Sequence, residues 1–590
     1  MRTPSLRALR VAAPTPLQGA TPTARQSRFR GVSRSAVALA AAFLLPVAAL
    51  LLPVAAQAQP ADLIVTNAKV ATLDAASTVA QALAVRDGKI VAVGTAAQVR
   101  AFEGAGTRSV DAGGRTLIPG LIDSHMHAVR AALSYSTEVN WIDAGTIAEA
   151  MARVRAAAAR ARPGGWLIVA GGWTEQQFAE RRRPTMAELQ EAAPDNPVYV
   201  QLFYEAVVMT PKALEALGVP AGSLPAGMKA PPEGTDGGPG WMAGDIVGIS
   251  ALFDKLPKPT YDDNLAGTRA FFSELNRLGV TGLVDPGGFS IAPSQYAALF
   301  ELWRQKALTV RVAYSIFAQK PGTELEEFRD LTQMLPMGFG DDMLRFNGLG
   351  ERLTIGMYNN NFPNDATREK FYELIKWAAA RKMTVTIHWL ENSSVDHLLG
   401  LYERLNREVP ITSLRWSIAH LDDASPETLA RMKALGMGWT MQDAMYFQGD
   451  RALKTRGEAA RRMPPIGTAL RAGVNLGAGT DAHRVASYNP FVAIRWMLDG
   501  KTVSGQPTRG PDETPTREQA LRLYTAGSAW FSFDEAKRGT LEVGKLADFA
   551  VLDQDVFTVP LERIGKTVSL MTVVGGKVVY TAAPFGAAPH

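Results

Sequence analysis

The stretch TLIPGLIDSHMH (116–127) decides how the chain is read. Its apolar run 117–122 has the length and composition of a buried strand, ending just before two histidines. On a strand, residues i and i+2 face the same side. His125 and His127 therefore present both imidazoles to one point at the C-terminal end of that strand. Active sites of α/β barrels lie at that end, and neutral imidazoles are ligands for Zn²⁺, with Fe²⁺ or Mn²⁺ as alternatives. A bare His-x-His signals little, but one that closes a buried strand after Pro119-Gly120 signals a metal site.

The remaining histidines extend the pattern. The chain has seven: His125, His127, His388, His397, His420, His483 and His590. His388 ends MTVTIH (383–388), His420 ends LRWSIAH (414–420), and Asp481 ends VNLGAGTD (474–481). Alone, each histidine is more often a packed residue and each aspartate a helix N-cap. Together they repeat one positional rule, a ligand type closing a β-type run. His397 lies in a helical stretch and is expected at the surface. His483 either lines the pocket or starts a helix, and His590 is terminal.

Helical stretches alternate with short apolar runs through the middle of the chain. TIAEAMARVRAAAARA (146–161) precedes WLIVAGG (166–172), FYELIKWAAARK (371–382) precedes MTVTIH, SPETLARMKALG (425–436) precedes MGWTMQ (437–442), and TALRAG (468–473) precedes VNLGAGTD. Repeated αβ units imply a parallel sheet covered by helices, and over this length a TIM-type (β/α)8 barrel. Both chain ends instead alternate apolar and polar residues, as in ALAVRDGKIVAVG (82–94) and MTVVGGKVVYTA (571–582), with turns at Asp87-Gly88 and Gly575-Gly576. A composite β-sandwich made from both ends is expected. The expected division is a signal peptide over 1–58, sandwich over 59–116, barrel over 117–530 with an insertion near 200–265, and sandwich again over 531–590. Residues 219–245, rich in Gly and Pro, form either a lid over the site or a plain surface loop.

Composition narrows the partners. Hydrophobic residues make up 47% and charged residues 20%, as in soluble globular proteins. The absence of cysteine excludes disulfides, thiolate ligands and a Cys nucleophile. The net charge of +5 comes from seven arginines within residues 1–34; the rest of the chain has 55 basic and 57 acidic side chains, a net of −2. No basic field for nucleic acid remains. The uncharged segment SAVALAAAFLLPVAALLLPVAAQA (35–58) ends in Ala56-Gln57-Ala58 and matches a secretory signal cut after Ala58. An exported protein, periplasmic or secreted, follows, without stable membrane insertion after cleavage. The alternative is an uncleaved anchor, since the run is long enough to span a bilayer. The substrate is expected to be a small molecule. Assembly is not legible, although homodimers are common among proteins generally.

These motifs carry a family resemblance. LIPGLIDSHMH, a single histidine after each of two later strands, and GTDAH (479–483) resemble the amidohydrolase superfamily. RGTLEVGKLADFAVLD (538–553) and VGGKVVY (574–580) look like its C-terminal sandwich segment, while WLIVAGGWTE, RRRPTMAELQEAAPDNPVYVQ and GVTGLVDPGG are similar to the amidohydrolase-3, YtcJ-like group. The resemblance implies a barrel with a composite β-sandwich and hydrolysis of amide-type C–N bonds. It further implies that His125 and His127 are first-strand ligands, His388 the fifth-strand ligand and His420 the sixth-strand histidine. Asp481 becomes the eighth-strand aspartate, both ligand and proton shuttle.

The chain departs from that pattern in three places. Relatives often carry a Lys that bridges two metals once carboxylated, whereas the corresponding ERLTIGMYNN (351–360) has none. One Zn²⁺ held by His125, His127, His388 and Asp481 is therefore expected, with His420 bonding the attacking water or the substrate. The two-ion alternative lets Glu205 bridge, in Tyr204-Glu205-Ala206 where relatives have Gly-His-Ala. Finally, HWLEN (388–392) creates His388-x-x-Glu391, a spacing similar to that of heterocycle deaminases. The expected function is hydrolysis of an amide, cyclic amide, carbamate or N-acyl amino acid. The alternatives are a deaminase using Glu391 and a metal-bearing binding protein without turnover. Trp173, Tyr204, Glu205, Trp389 and Glu391 are the candidate substrate contacts.

Overall fold

A computed structural model describes residues 59–232, 238–358 and 362–586. The expected signal peptide, residues 1–58, and His590 lie outside these residues. Among the described residues no helix is long and apolar enough to cross a membrane.

Eight strands position the site: β1 (Leu121–Asp123), β2 (Val280–Asp285), β3 (Arg311–Ile316), β4 (Leu344–Leu349), β5 (Thr386–Trp389), β6 (Ser417–His420), β7 (Gly438–Gln442) and β8 (Asn475–Gly479). They pair in parallel as β1-β2-β3-β4 and as β5-β6-β7-β8. A parallel bridge between Leu349 and Val385 links the two runs, and the Ser124 N–H donates to the Ala478 carbonyl at 3.0 Å between the first and last strands. β2 and β7 are buried at every residue, as parallel strands covered on both faces are. The helices fall where the 3.6-residue periodicity placed them, including Asp365–Ala380 before β5, Pro426–Ala434 before β7 and Ile466–Ala472 before β8.

Two strands differ from expectation. The run 117–122 is not one strand. Thr116–Pro119 pairs with Phe549–Leu552 and Lys69–Ala71, and β1 starts only at Leu121. The break falls at Gly120, where a Cβ would stand 2.2 Å from Thr281 Oγ1. Only glycine allows the chain to pass from one sheet to the other that close to β2. Leu167–Val169, expected among the alternating αβ units, instead joins Val198–Leu202, Ala206–Met209 and Trp241–Ala243 in a separate four-stranded sheet between β1 and β2. Part of the Gly/Pro-rich stretch 219–245 thus ends in an edge strand of that sheet.

The two chain ends share a six-stranded sheet, in which Lys69–Ala71, Val79–Ala80 and Thr116–Pro119 join Phe549–Leu552, Ser569–Val574 and Lys577–Thr581. A second sheet contains the hairpin of Ala82–Arg86 and Lys89–Gly94. Asp87 (φ 51°) and Gly88 (φ 73°) turn this hairpin with positive φ at both central positions, as a type I′ turn requires.

A buried ion pair fastens this end sheet to the parallel strands. Arg311, first in β3, donates from Nε to Asp548 Oδ2 at 2.7 Å and from Nη2 to Oδ1 at 2.9 Å, with both side chains buried. Truncating one partner strands the other charge in the interior, at a cost of about 3–5 kcal/mol. Arg311→Met is therefore expected to lose about that much stability in denaturant titrations, and Arg311→Met/Asp548→Leu to recover most of it. A single variant as stable as wild type would contradict the clamp.

Candidate metal centre

All the sequence-selected ligands converge beyond the C-terminal ends of the parallel strands. His125 and His127 follow β1, with His127 directly preceding helix α1 (Ala128–Ser134). His388 lies within β5, His420 ends β6, and Asp481 stands two residues past β8. His127 Nε2 is 3.1 Å and His125 Nε2 is 3.7 Å from Asp481 Oδ1.

A residue not selected from the sequence sits in the middle. Glu351, two residues past β4, approaches four histidines at once. Its carboxylate oxygens lie 3.3 Å from His125 Nε2, 3.4 Å from His127 Nε2, 3.5 Å from His388 Nδ1 and 3.5 Å from His420 Nε2. Ligand atoms held at about 2.0–2.1 Å by one tetrahedral ion stand about 3.4 Å apart. The His125 Nε2, His420 Nε2, Glu351 Oε2 and both His388 ring nitrogens are buried without a hydrogen-bond partner. Each such orphan costs about 1–3 kcal/mol, and a cation among them removes that cost. Among the described residues two ligand groups are compact enough to hold an ion: His125, His127 and Asp481, and His125, Glu351 and His420.

The surroundings hold these side chains in place. The Gly287 carbonyl bonds His127 Nδ1, leaving Nε2 for the centre. Asp123, at the end of β1, accepts from the His125 N–H at 2.9 Å and from Thr480 Oγ1 at 2.8 Å, tying β1 to the approach to Asp481. The Gln442 side chain accepts from the His420 N–H at 3.0 Å, and Trp439 Nε1 donates to the His420 carbonyl at 2.5 Å. His420 (φ 71°) and Asp481 (φ 55°) adopt left-handed backbone conformations. Such strain persists only where neighbours enforce it, and it concentrates at functional sites.

Electrostatics favour a cation. Burial pushes the Asp481 carboxyl up, but His127, His420 and His125 outweigh it and hold the pKa at about 2. Burial likewise opposes ionisation of Glu351, and the four histidines keep it well below the usual carboxylate range. Two ionised carboxylates among imidazoles are balanced either by protons on the rings or by metal ions in their place.

Comparison with known proteins agrees with this geometry. The model of the amidohydrolase family matches residues 108–580. The chain belongs to that family. It is an amidohydrolase of the amidohydrolase-3 group, a metal-dependent hydrolase acting on carbon–nitrogen bonds. It is 26% identical to N-substituted formamide deformylase of Arthrobacter pascens, over 88% of this chain and 99% of that one. It is 22% identical to the putative amidohydrolase YtcJ of Bacillus subtilis, over 85% and 96% respectively. The fold resembles an uncharacterized metal-dependent hydrolase from Pyrococcus horikoshii, with a TM-score of 0.61 and 20% identity, covering 85% of this chain and 99% of that one.

The other candidate residues of the amidohydrolase serve several different roles. Stretch 351–360 has no Lys, but its Glu351 reaches the histidines. The family resemblance implies a lysine in that stretch and gives no role to its glutamate. The signal was present, since Glu351 follows the buried run LRFNGLG just as the histidines follow theirs. The Glu205 carboxylate pairs with Arg451 and is 36% exposed. Trp173 and Trp389 are not pocket walls. Trp173 is buried against Trp141 and Phe178, with Nε1 donating to the Gln201 carbonyl at 2.9 Å. Trp389 is fully buried, its Nε1 donating to the Glu391 carbonyl. Large aromatics near a site most often serve the core, as here. The Glu391 carboxylate lies 3.2 Å from Arg456, and Tyr204 lines a cavity beside the centre. His483 is buried, with Nε2 2.8 Å from Glu138 Oε2. His397 is half-buried with its ring 5.4 Å from that of Phe362.

Proposed function

We propose that this amidohydrolase is an exported hydrolase of a non-peptide C–N bond, in an amide, cyclic amide, carbamate or N-acyl amino acid, working with two divalent ions, most simply Zn²⁺. The observation that carries this reading is Glu351, a carboxylate within 3.5 Å of nitrogens from four histidines. One carboxylate with two oxygens is suited to bridge two ions. His125, His127 and Asp481 would hold one, His388 and His420 the other, with Glu351 between them. This replaces the one-ion expectation, whose premise was that residues 351–360 offer no bridge. When bound, the ions lower the pKa of water and polarise a carbonyl.

The chain's own residues supply the proton transfers. Asp481, ionised at neutral pH and at 14% exposure among the more accessible groups of the centre, takes a proton from the attacking water. The water oxygen adds to the carbonyl carbon, the C–N bond breaks, and Asp481 passes the proton to the leaving nitrogen. The products are a carboxylic acid and an amine. The likeness to a formamide deformylase supports this bond type. The eight parallel strands, linked at Leu349 and Val385 and again at Ser124 and Ala478, support a closed TIM-type barrel, and the shared end sheet supports a composite sandwich. The Ala56-Gln57-Ala58 pattern after an apolar run supports export.

Metal analysis with a hydrolysis panel of amides, lactams, carbamates and N-acyl amino acids tests this reading. Two ions per chain are expected, with activity lost on chelation and restored by Zn²⁺. One ion per chain at saturating metal would overturn the two-ion centre, and no turnover across the panel would overturn the bond assignment. Glu391→Gln should leave turnover within about threefold, because its carboxylate is engaged with Arg456. A collapse of activity would instead favour heterocycle deamination.

A further inference from the structure

We propose that Arg352 is a positioning residue of the metal centre, holding Glu351 and His388 in place for the ion they share with His420. This rests on the two-ion reading above and names the group that orders one half of the centre. Arg352 follows Glu351 directly, three residues past β4. It is 4% exposed, and among the described residues it has no ion pair. The Glu324 and Glu327 carboxylates favour its charge but are taken up by the backbone N–H groups of Gly322, Ile355, Gln319 and Lys320, at 2.9–3.0 Å. Burial pushes the guanidinium below its ordinary pKa. An unpaired cation is unfavourable in the interior, so its other contacts must offset that penalty.

Those contacts form a clamp. Nε donates to the Ala318 carbonyl at 3.0 Å, and Nη2 donates to the same oxygen. Cζ lies 4.6 Å from the centroid of the Phe289 ring and 4.9 Å from that of Phe317. A planar guanidinium both stacks on aromatic rings and keeps its donors free for a carbonyl, which an ammonium does less well. Ala318 stands two residues past β3. Arg352 therefore ties the segment after β4 to the segment after β3.

The clamp reaches the centre by two routes. One is the main chain around Glu351. The Gly350 N–H donates to the Ile316 carbonyl at 2.9 Å, and the Ala318 N–H to the Arg352 carbonyl at 3.4 Å, so Glu351 is fastened on both sides. A Cβ on Gly350 would stand 2.4 Å from the Pro286 carbonyl oxygen, so the chain also passes close against the end of β2. The His388 N–H donates to the Glu351 carbonyl at 3.0 Å, which couples the two ligands directly. The other route is aromatic. The Phe289 ring is 5.6 Å from that of Tyr358, which is 4.7 Å from the His388 imidazole. His125 and Asp481 are tied to each other instead, the Asp481 N–H donating to the His125 carbonyl at 2.8 Å. Loosening Arg352 therefore acts on the ion of Glu351, His388 and His420 more than on its neighbour.

The test titrates Zn²⁺ by calorimetry into wild type, Arg352→Met and Arg352→Lys, each freed of metal by chelation, and unfolds the same metal-free proteins in denaturant. Arg352→Met should bind the second ion about 10- to 100-fold more weakly and change the first by less than about threefold, as loss of an outer partner of a metal ligand does. Its metal-free form should unfold at the wild-type denaturant concentration, because methionine fits between two rings and the unpaired charge is gone. Arg352→Lys keeps the charge and a donor for Ala318 but not the stack, and should recover part of the affinity. A metal-free Arg352→Met that is less stable yet binds both ions like wild type would show a merely structural residue and overturn the proposal. If Arg352→Met fails to fold, Arg352→Lys is read in its place, and second-ion affinity equal to wild type overturns it. If wild type binds a single ion, the two-ion reading fails separately and Arg352 is judged on that ion. Weaker binding in Arg352→Met then supports the positioning role, and unchanged binding overturns it.

Discussion

Asp481→Asn should lower kcat by about 100- to 10,000-fold on every amide the enzyme accepts, the range associated with loss of a positioned general base. The side chain keeps its size and one oxygen that can still face a cation, so the metal complement should fall much less than turnover. The amide cannot accept the proton of the attacking water, nor return it to the leaving nitrogen. The native carboxyl is held ionised by His127, His420 and His125 at a pKa of about 2, so this capacity is present throughout the neutral range. kcat measured at saturating metal, beside metal content per chain, separates the base from the ligand. Turnover within about threefold of wild type would remove Asp481 from the proton path.

Glu351→Gln should produce the other large effect, on metal rather than on chemistry alone. The carboxylate lies 3.3–3.5 Å from nitrogens of all four histidines. Outer-layer partners of a metal are already worth about 10- to 100-fold in affinity, so a bridging ligand should be worth at least that. A neutral carboxamide between two cations leaves their repulsion uncompensated. Ion content should drop from two per chain to one or fewer, with a fall in kcat/KM of about 100-fold or more. Circular dichroism should remain that of the wild type. Two ions bound by Glu351→Gln with unchanged affinity would show that Glu351 is not the bridge.

Much of the centre was legible before any coordinates. His125, His127, His388, His420 and Asp481 obey one local rule, a ligand type at the end of a buried run, and local rules survive in a linear sequence. Glu351 obeys the same rule but is a residue type that ends many strands without function. Its meaning appears only when four imidazoles surround it. Trp173 and Trp389 show the opposite failure. Aromatics suit both pocket walls and cores, and only packing against Trp141 and Phe178, in the first case, distinguishes them.

The fold divides in the same way. The helix-and-run rhythm from 371 onward identified β5 to β8, because burial on both faces writes an apolar run into each strand. The same pattern misassigned Leu167–Val169, since strand period is independent of which sheet the strand joins. Nor could it show that 117–122 changes sheets at Gly120, a break imposed by Thr281, which lies far along the chain.

The sequence alone thus determined the ligand types, the family resemblance and the parallel architecture, since each depends on residues close together in the chain. The stretch TLIPGLIDSHMH carried its strongest signal. Tertiary structure alone placed the Glu351 carboxylate within 3.5 Å of four histidines and paired Glu205 with Arg451. Those facts depend on distances between segments that meet only when the strands are arranged side by side, and electrostatic pairing falls off over a few ångströms.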